Sequence, residues 1–159
     1  WFSEQLPEKG MDPSILLEEV AKKDLGTATG NIGPHMYAYV MSGGNQMALI
    51  AEQLATTINQ NQTKWHLGPA MNEIEKRVIA WTANLMGFPE GSGGILVSGG
   101  SAANLTGLTV GRNITFEKHN IRKQGLFGQK PFTVYASEEV HSCVDKSVEL
   151  LGIGAAHLR

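Results

Sequence analysis

Apolar side chains recur every three or four residues over three stretches of the first part of the chain, which predicts three amphipathic helices. The clearest of these covers residues 69–86, and a second covers residues 46–59. The third covers residues 13–23 and begins favourably, because Asp12 is a good N-cap and Pro13 suits the first helical position.

Glycine is frequent between the first two predicted helices, over residues 25–46. Such a stretch is typical of turns and irregular backbone. Within it, residues 36–41 are apolar and aromatic. This short run predicts either a strand or an extended segment that lines a pocket.

The second part of the chain alternates between short apolar runs and helical patterns. Residues 95–97 and 132–136 are predicted to be strands of the buried type. Predicted helices follow each strand, over residues 102–118 and 139–151. The order strand, helix, strand, helix predicts an α/β fold with a parallel sheet and crossover helices.

Composition narrows the class of protein. Of the 159 residues, 42% are hydrophobic and 18% are charged, which is ordinary for a globular core. The net charge of −2 and the absence of a basic run argue against a nucleic acid or a membrane surface as partner. The single cysteine, Cys143, fits a reducing compartment, so we expect a cytoplasmic protein without a metal site.

The segment from Ser98 to Ser101 carries the first chemical signal. It places two glycines and a serine between a predicted strand and a predicted helix. Glycine allows an anion to approach the backbone closely, and a helix N-terminus presents unpaired N–H groups with partial positive charge. The segment predicts either a phosphate cradle or a plain strand-to-helix turn with Ser101 as the N-cap.

His141 follows the second predicted strand, which places it at the same edge of a parallel sheet as the glycine turn. An imidazole at that position can stack on a flat ring or exchange protons. The alternative is a helix-capping or surface histidine.

Three motifs in this order and spacing resemble the group II pyridoxal-phosphate (PLP) dependent amino-acid decarboxylases. The sequence from Val97 to Leu105, VSGGSAANL, resembles the family's phosphate-binding turn. The sequence from Val134 to Ser147, VYASEEVHSCVDKS, resembles its strand and stacking-histidine segment. The sequence PHMYAYV, which begins at Pro34, resembles its substrate-side stretch.

The resemblance implies the N-terminal part of the type I aminotransferase-like fold and a homodimer that acts on an amino acid. Residues 1–60 would form a helical segment that packs on a partner subunit, and residues 61–159 the first part of the PLP-binding large domain. The segment 61–65 would reach the partner's active site.

The resemblance also assigns roles to single residues. His141 would act in catalysis and stack on the cofactor ring. The remaining cofactor-binding residues would be Gly100, Ser101, Ala102 and Ser142, and the substrate-side residues would be Tyr39 and Ser42.

The family's Schiff-base lysine and the aspartate that pairs with the pyridine nitrogen both lie downstream of the matching motifs. None of the lysines present, Lys146 included, stands in the Schiff-base context. We therefore expect residues 1–159 alone to be inactive. Two further functions stay open: another PLP reaction of the same fold, namely a lyase reaction or transamination, and a non-catalytic binding or dimerisation fragment. Tyr39 and Trp65 indicate either a bulky substrate or a place in the core.

Overall fold

The computed structural model describes residues 8–159. Internal contacts divide the chain into two compact units, Trp1–Gln60 and Asn61–Arg159. The α-helices in the described range are α1 Pro13–Val20, α2 Gln46–Ile58, α3 Pro69–Leu85, α4 Gly99–Thr115, α5 Ile121–Gln124 and α6 Cys143–Leu150. None of the helices within residues 8–159 combines the length and the apolar character that crossing a bilayer requires.

The N-terminal unit owes its helix starts to local capping. Asp12 accepts a hydrogen bond from the Ser14 N–H at 2.8 Å, which confirms the predicted cap of α1. The helix then widens into a π-helical turn over Ala21–Leu25. In this turn Lys23 pairs with Glu19 and lowers the pKa of that carboxyl.

Helix α2 starts and ends close to the predicted bounds. The Asn45 side chain accepts the N–H groups of Met47 and Ala48, and Asn59 ends the helix in the left-handed conformation. The preceding residues 36–41 form turns and irregular backbone rather than a strand. Tyr39 and Val40 have φ angles of 61° and 55° there, which no extended strand contains.

Helix α3 opens the second unit. Gly68 precedes Pro69, and the carbonyl of Gly68 accepts the Asn72 N–H at 3.0 Å. Just before the helix, Trp65 donates its indole N–H to Glu73 at 2.8 Å. The Lys76 Nζ lies 2.8 Å from the same oxygen. Both partners lower the pKa of Glu73, and Lys76 has the larger effect.

The core of the second unit forms where α4 packs on α6. Val148 of α6 is completely buried. Arg112 of α4 donates to the Leu151 carbonyl at the end of α6, at 3.1 Å. The other buried side chains in the described range are Ile121, Cys143, Val144, Ser147 and Ile153.

The predicted parallel sheet is not present in the described residues. Residues 95–97 form no strand, so that prediction is wrong. Within the predicted strand 132–136 the pairing amounts to one parallel bridge, between Val134 and Leu158. The reason is physical: a strand exists only when another strand takes its backbone N–H and C=O groups, and within the described part of the chain the segment 157–159 bonds only to Val134 and Ala136 of the predicted strand.

The one parallel bridge depends on how α6 ends. The Ile153 N–H bonds to the Val148 carbonyl and the Gly152 N–H to the Glu149 carbonyl, the pattern of a Schellman turn. Gly152 has a φ of 70°, which permits the reversal. The turn directs the chain back, so that the Arg159 N–H bonds to the Val134 carbonyl at 2.9 Å and the Val134 N–H bonds to the His157 carbonyl at 3.0 Å.

Candidate functional site

The predicted phosphate turn lies at the start of α4, and its backbone is unusual. Ser98 is extended and makes no side-chain cap hydrogen bond. Gly99 follows with a φ of 84°, a left-handed conformation that an L-residue adopts only with strain. The helix begins at Gly99 rather than at Ala102, so Ser101 lies inside the first turn and is not the N-cap.

This geometry leaves the first turn of α4 open, by which we mean that the Ala102 N–H makes no hydrogen bond to the Ser98 carbonyl, in addition to the Gly100 and Ser101 N–H groups, whose positions have no intrahelical acceptor in any helix. In other helices the corresponding bond to the N-cap carbonyl is present: Leu16 to Asp12 at 3.0 Å, Leu49 to Asn45 at 3.1 Å, Asn72 to Gly68 at 3.0 Å and Lys146 to Ser142 at 3.3 Å. The Ala102 N–H makes no such bond to Ser98.

Space is available beside the two glycines of the open first turn. A Cβ atom added to Gly99 or Gly100 would meet no other atom within 4 Å. Gly100 and Ser101 are exposed, and Ala102 is half-buried. The N–H donors of a helix N-terminus suit a phosphate group, and the glycines allow it to approach closely, so the residues fit the phosphorylated cofactor that the sequence predicted.

His141 stands just before α6, and backbone contacts determine its orientation. Its Nδ1 accepts the Cys143 N–H at 3.1 Å, and its carbonyl accepts the Val144 N–H at 3.0 Å. In the neutral ring the proton therefore resides on Nε2. The imidazole is exposed, and Ser142 beside it is the N-cap residue of α6.

The predicted start of this helix at Glu139 is wrong. A turn intervenes, in which the Val140 N–H bonds to the Ser137 carbonyl at 3.0 Å. The Ser137 hydroxyl also accepts the Glu139 N–H at 3.2 Å. Because these donors are used by the turn, the helix begins only at Cys143.

A hydrogen-bonded chain joins the open first turn to the His141 segment. The Asn104 side-chain Nδ2 donates to the Gly100 carbonyl at 3.0 Å and to Cys143 Sγ at 3.3 Å. Sequence reasoning missed Asn104 and Cys143 as parts of the site. The spacing of Asn104 from Gly100 is one helical turn and could have been noticed, whereas nothing in the sequence pairs Asn104 with Cys143.

Tyr39 and Ser42 lie in the N-terminal unit, in the irregular stretch before α2. Tyr39 is 85% exposed and Trp65 is 57% exposed, so neither side chain is a core residue. Within residues 8–159 no group of three or more His, Cys, Asp or Glu side chains could hold a metal ion.

Comparison with known proteins identifies the family. The family model of the pyridoxal-dependent decarboxylase conserved domain matches residues 2–159 of this sequence. An aromatic-L-amino-acid decarboxylase of Bacillus atrophaeus is 34% identical over 95% of this chain, which corresponds to 30% of the relative. The chain thus spans about a third of the length of such relatives.

Solved structures share the fold. The glutamate decarboxylase domain of a diaminobutyrate-pyruvate transaminase and L-2,4-diaminobutyrate decarboxylase from Vibrio parahaemolyticus has a TM-score of 0.90 at 24% identity, over 99% of this chain and 35% of that one. Oryza sativa TDC, solved with PLP and tryptamine, has a TM-score of 0.84 at 22% identity, over 98% of this chain and 34% of that one. These two structures show the fold alone, and the family whose model matches is pyridoxal-dependent.

Proposed function

The chain belongs to the pyridoxal-dependent decarboxylase family, and we propose that the whole protein uses PLP to remove the α-carboxylate of an L-amino acid. The observation that carries this proposal is the open first turn of α4, joined through Asn104 to the segment that bears His141. In this arrangement Gly100, Ser101 and Ala102 bind the cofactor's phosphate.

The first turn of α4 would bind the cofactor's phosphate by electrostatic attraction. The N–H groups of Gly100, Ser101 and Ala102 lie in the first turn of α4, and the helix dipole adds partial positive charge there. A hydrogen bond to a charged group contributes about 1.5–3 kcal/mol, more than one between neutral groups. The Ser101 hydroxyl, which is also exposed, is a further donor.

His141 would hold the cofactor by stacking on its ring. Its Nδ1 is held by the Cys143 N–H, so the imidazole plane cannot rotate freely and its Nε2 proton remains available. When bound, PLP supplies an electron sink for the pair released as CO₂ departs. Ser142, exposed beside His141, would hydrogen-bond at the same edge of the cofactor.

For the substrate, we propose that Tyr39 and Ser42 lie beside it and that its side chain is aromatic. The Bacillus relative named above acts, by its name, on aromatic L-amino acids. We assign Tyr39 and Ser42 as binding rather than catalytic residues.

We also propose that the whole protein is a cytoplasmic homodimer in which residues 1–60 pack on the partner subunit. The apolar side chains Met47, Ile50 and Leu54 of α2 are 70%, 48% and 57% exposed, and such a face is stabilised when another surface covers it. The same observation supports the second candidate function, a dimerisation module without catalysis. The buried, unpaired thiol of Cys143 suits a reducing compartment.

The proposal is tested by adding PLP to the whole protein and measuring CO₂ release from a panel of aromatic, acidic and diamino L-amino acids. We expect turnover that is fastest with an aromatic member and that requires PLP. Residues 1–159 alone should release no CO₂. Binding of a partner copy without any CO₂ release by the whole protein would favour the dimerisation module instead.

A further inference from the structure

Among the described residues, Asn104 is the one side chain that hydrogen-bonds to both the open first turn of α4 and the histidine segment, through Gly100 and Cys143. We infer that Asn104 is a positioning residue that sets the orientation of His141 relative to the open first turn of α4. The inference rests on the proposed function and goes beyond it, because Asn104 itself neither grips the phosphate nor stacks on the ring.

The first effect of Asn104 is on the phosphate donors. Its Nδ2 holds the Gly100 carbonyl at 3.0 Å. In a planar trans peptide the carbonyl of one residue and the N–H of the next point in opposite directions. Holding the Gly100 carbonyl along the helix therefore directs the Ser101 N–H out of the helix, towards the open space.

The second effect reaches His141 through Cys143. Cys143 is only 4% exposed, and its Sγ accepts the second Asn104 hydrogen at 3.3 Å. Its carbonyl accepts the buried Ser147 hydroxyl at 2.6 Å, and its N–H donates to His141 Nδ1 at 3.1 Å. Because Cys143 is held on three sides, the position of its N–H, and with it the imidazole plane, follows the position of Asn104.

An amide is the side chain that suits this task. It offers two N–H donors, so one group serves both Gly100 and Cys143. A leucine has a similar shape but no donor, and an aspartate would place a negative charge next to the phosphate. The effect of Asn104→Leu therefore separates the hydrogen bonds from the volume of the side chain.

The test uses the whole protein loaded with PLP and two readouts other than activity: the dissociation constant of PLP, and the visible circular-dichroism band of the bound cofactor, which reports the orientation of its ring. We expect Asn104→Leu to raise the dissociation constant about 5- to 30-fold, as loss of one to two kcal/mol does, and to weaken the band. Cys143→Ala should weaken the band with less effect on the dissociation constant, because Gly100 remains held.

Asn72→Leu is the matched control. Asn72 of α3 donates to the carbonyl four residues earlier, Gly68, at 2.8 Å, as Asn104 does to Gly100, but has no bond to the histidine segment. This variant should keep both readouts. In a double-mutant cycle, Cys143→Ala should add nothing to the loss of the band caused by Asn104→Leu.

Unchanged affinity and an unchanged band in folded Asn104→Leu would overturn the inference while the proposed function stands. Absence of PLP binding by the unmutated whole protein would overturn both. If Asn104→Leu does not fold, Cys143→Ala and Cys143→Ser decide. Recovery of the band in the serine variant, whose hydroxyl accepts a hydrogen bond, supports the inference, and equal bands in both variants contradict it.

Discussion

Helices α3 and α4 both have 17 residues and lie in the same unit, yet they begin differently. At α3, the carbonyl of Gly68 accepts both the N–H and the side-chain Nδ2 of Asn72, at 3.0 and 2.8 Å. At α4, Gly99 has a φ of 84° and the Ala102 N–H makes no corresponding bond to the Ser98 carbonyl. A closed start uses this N–H donor to stabilise the helix, whereas an open start keeps it for a ligand.

The aromatic side chain near each start shows the same contrast. The indole N–H of Trp65, the only polar hydrogen of that side chain, donates to Glu73 at the start of α3. His141, which the Asn104 chain links to α4, bonds through Nδ1, and its Nε2 has no hydrogen-bond partner among the described residues. Trp65 is thereby anchored to its helix, while His141 keeps one ring nitrogen for chemistry.

The largest effect is expected from removing that ring. His141→Ala in the whole protein should lower kcat at least about 100-fold, the lower limit for a positioned proton-transfer group. His141→Phe, which keeps a flat ring, should retain more PLP affinity than the alanine variant. Steady-state kinetics and PLP titration measure this, with His119→Ala at the other end of α4 as the control. Equal kcat in the alanine variants of His141 and His119 would contradict the role.

A proline at Gly99 should convert the open start into a closed one. Proline requires a φ near −65°, so the left-handed turn cannot form and the Ala102 N–H can reach the Ser98 carbonyl. Each hydrogen bond lost to the phosphate should weaken PLP binding about tenfold or more. The measurement is the dissociation constant of PLP, and Pro69→Ala in α3 should leave it unchanged. A Gly99→Pro variant with normal affinity would show that the glycine's backbone does not make the site.

A smaller effect is expected inside α4, which contains Gly107 where α3 has no glycine. A Cβ at Gly107 would meet no atom within 4 Å. Gly107→Ala should therefore raise the free energy of unfolding by about 0.5–1 kcal/mol, measured by denaturant titration. PLP affinity should not change; a loss of affinity would mean that the site extends beyond the first turn.

The smallest effect is expected at the closed start of α3. Because Lys76 and Trp65 lower the pKa of Glu73, the Trp65 contact contributes to stability above the ordinary carboxyl pKa. It should be lost as the pH falls through the lowered value. The fluorescence difference between the unmutated protein and Trp65→Phe should report this transition, and Glu73→Gln should abolish it. A transition that persists in Glu73→Gln would assign it to another group.

The sequence predicted helices best where the signals are local. The bounds of α2 and α3 differ from the predicted 46–59 and 69–86 by a single residue at the C-terminal end. In contrast, the strand at 95–97 did not form, and α6 begins at Cys143 instead of Glu139. An apolar run shows that a segment is suited to burial, but it does not show which segment will pair with it.

The candidate site divides in the same way. The glycines of the turn and the position of His141 were visible in the sequence, because a cofactor turn and a histidine at a strand end have local signatures. The structure alone revealed Asn104, since its second acceptor, Cys143, is distant in the chain. Whether the N–H of Ala102 is free was equally invisible, because it depends on the φ of Gly99.

By itself, then, the sequence determined where α1, α2 and α3 start and which residues have the chemistry to hold a phosphate and a flat ring. Those properties follow from capping, helical periodicity and side-chain type, which act within a few residues. The tertiary structure decided that Val134 pairs with Leu158 and that Asn104 joins the two parts of the site. Such contacts must offset the entropy of closing a long loop, so they form only when the packing of α4 on α6 brings their partners together.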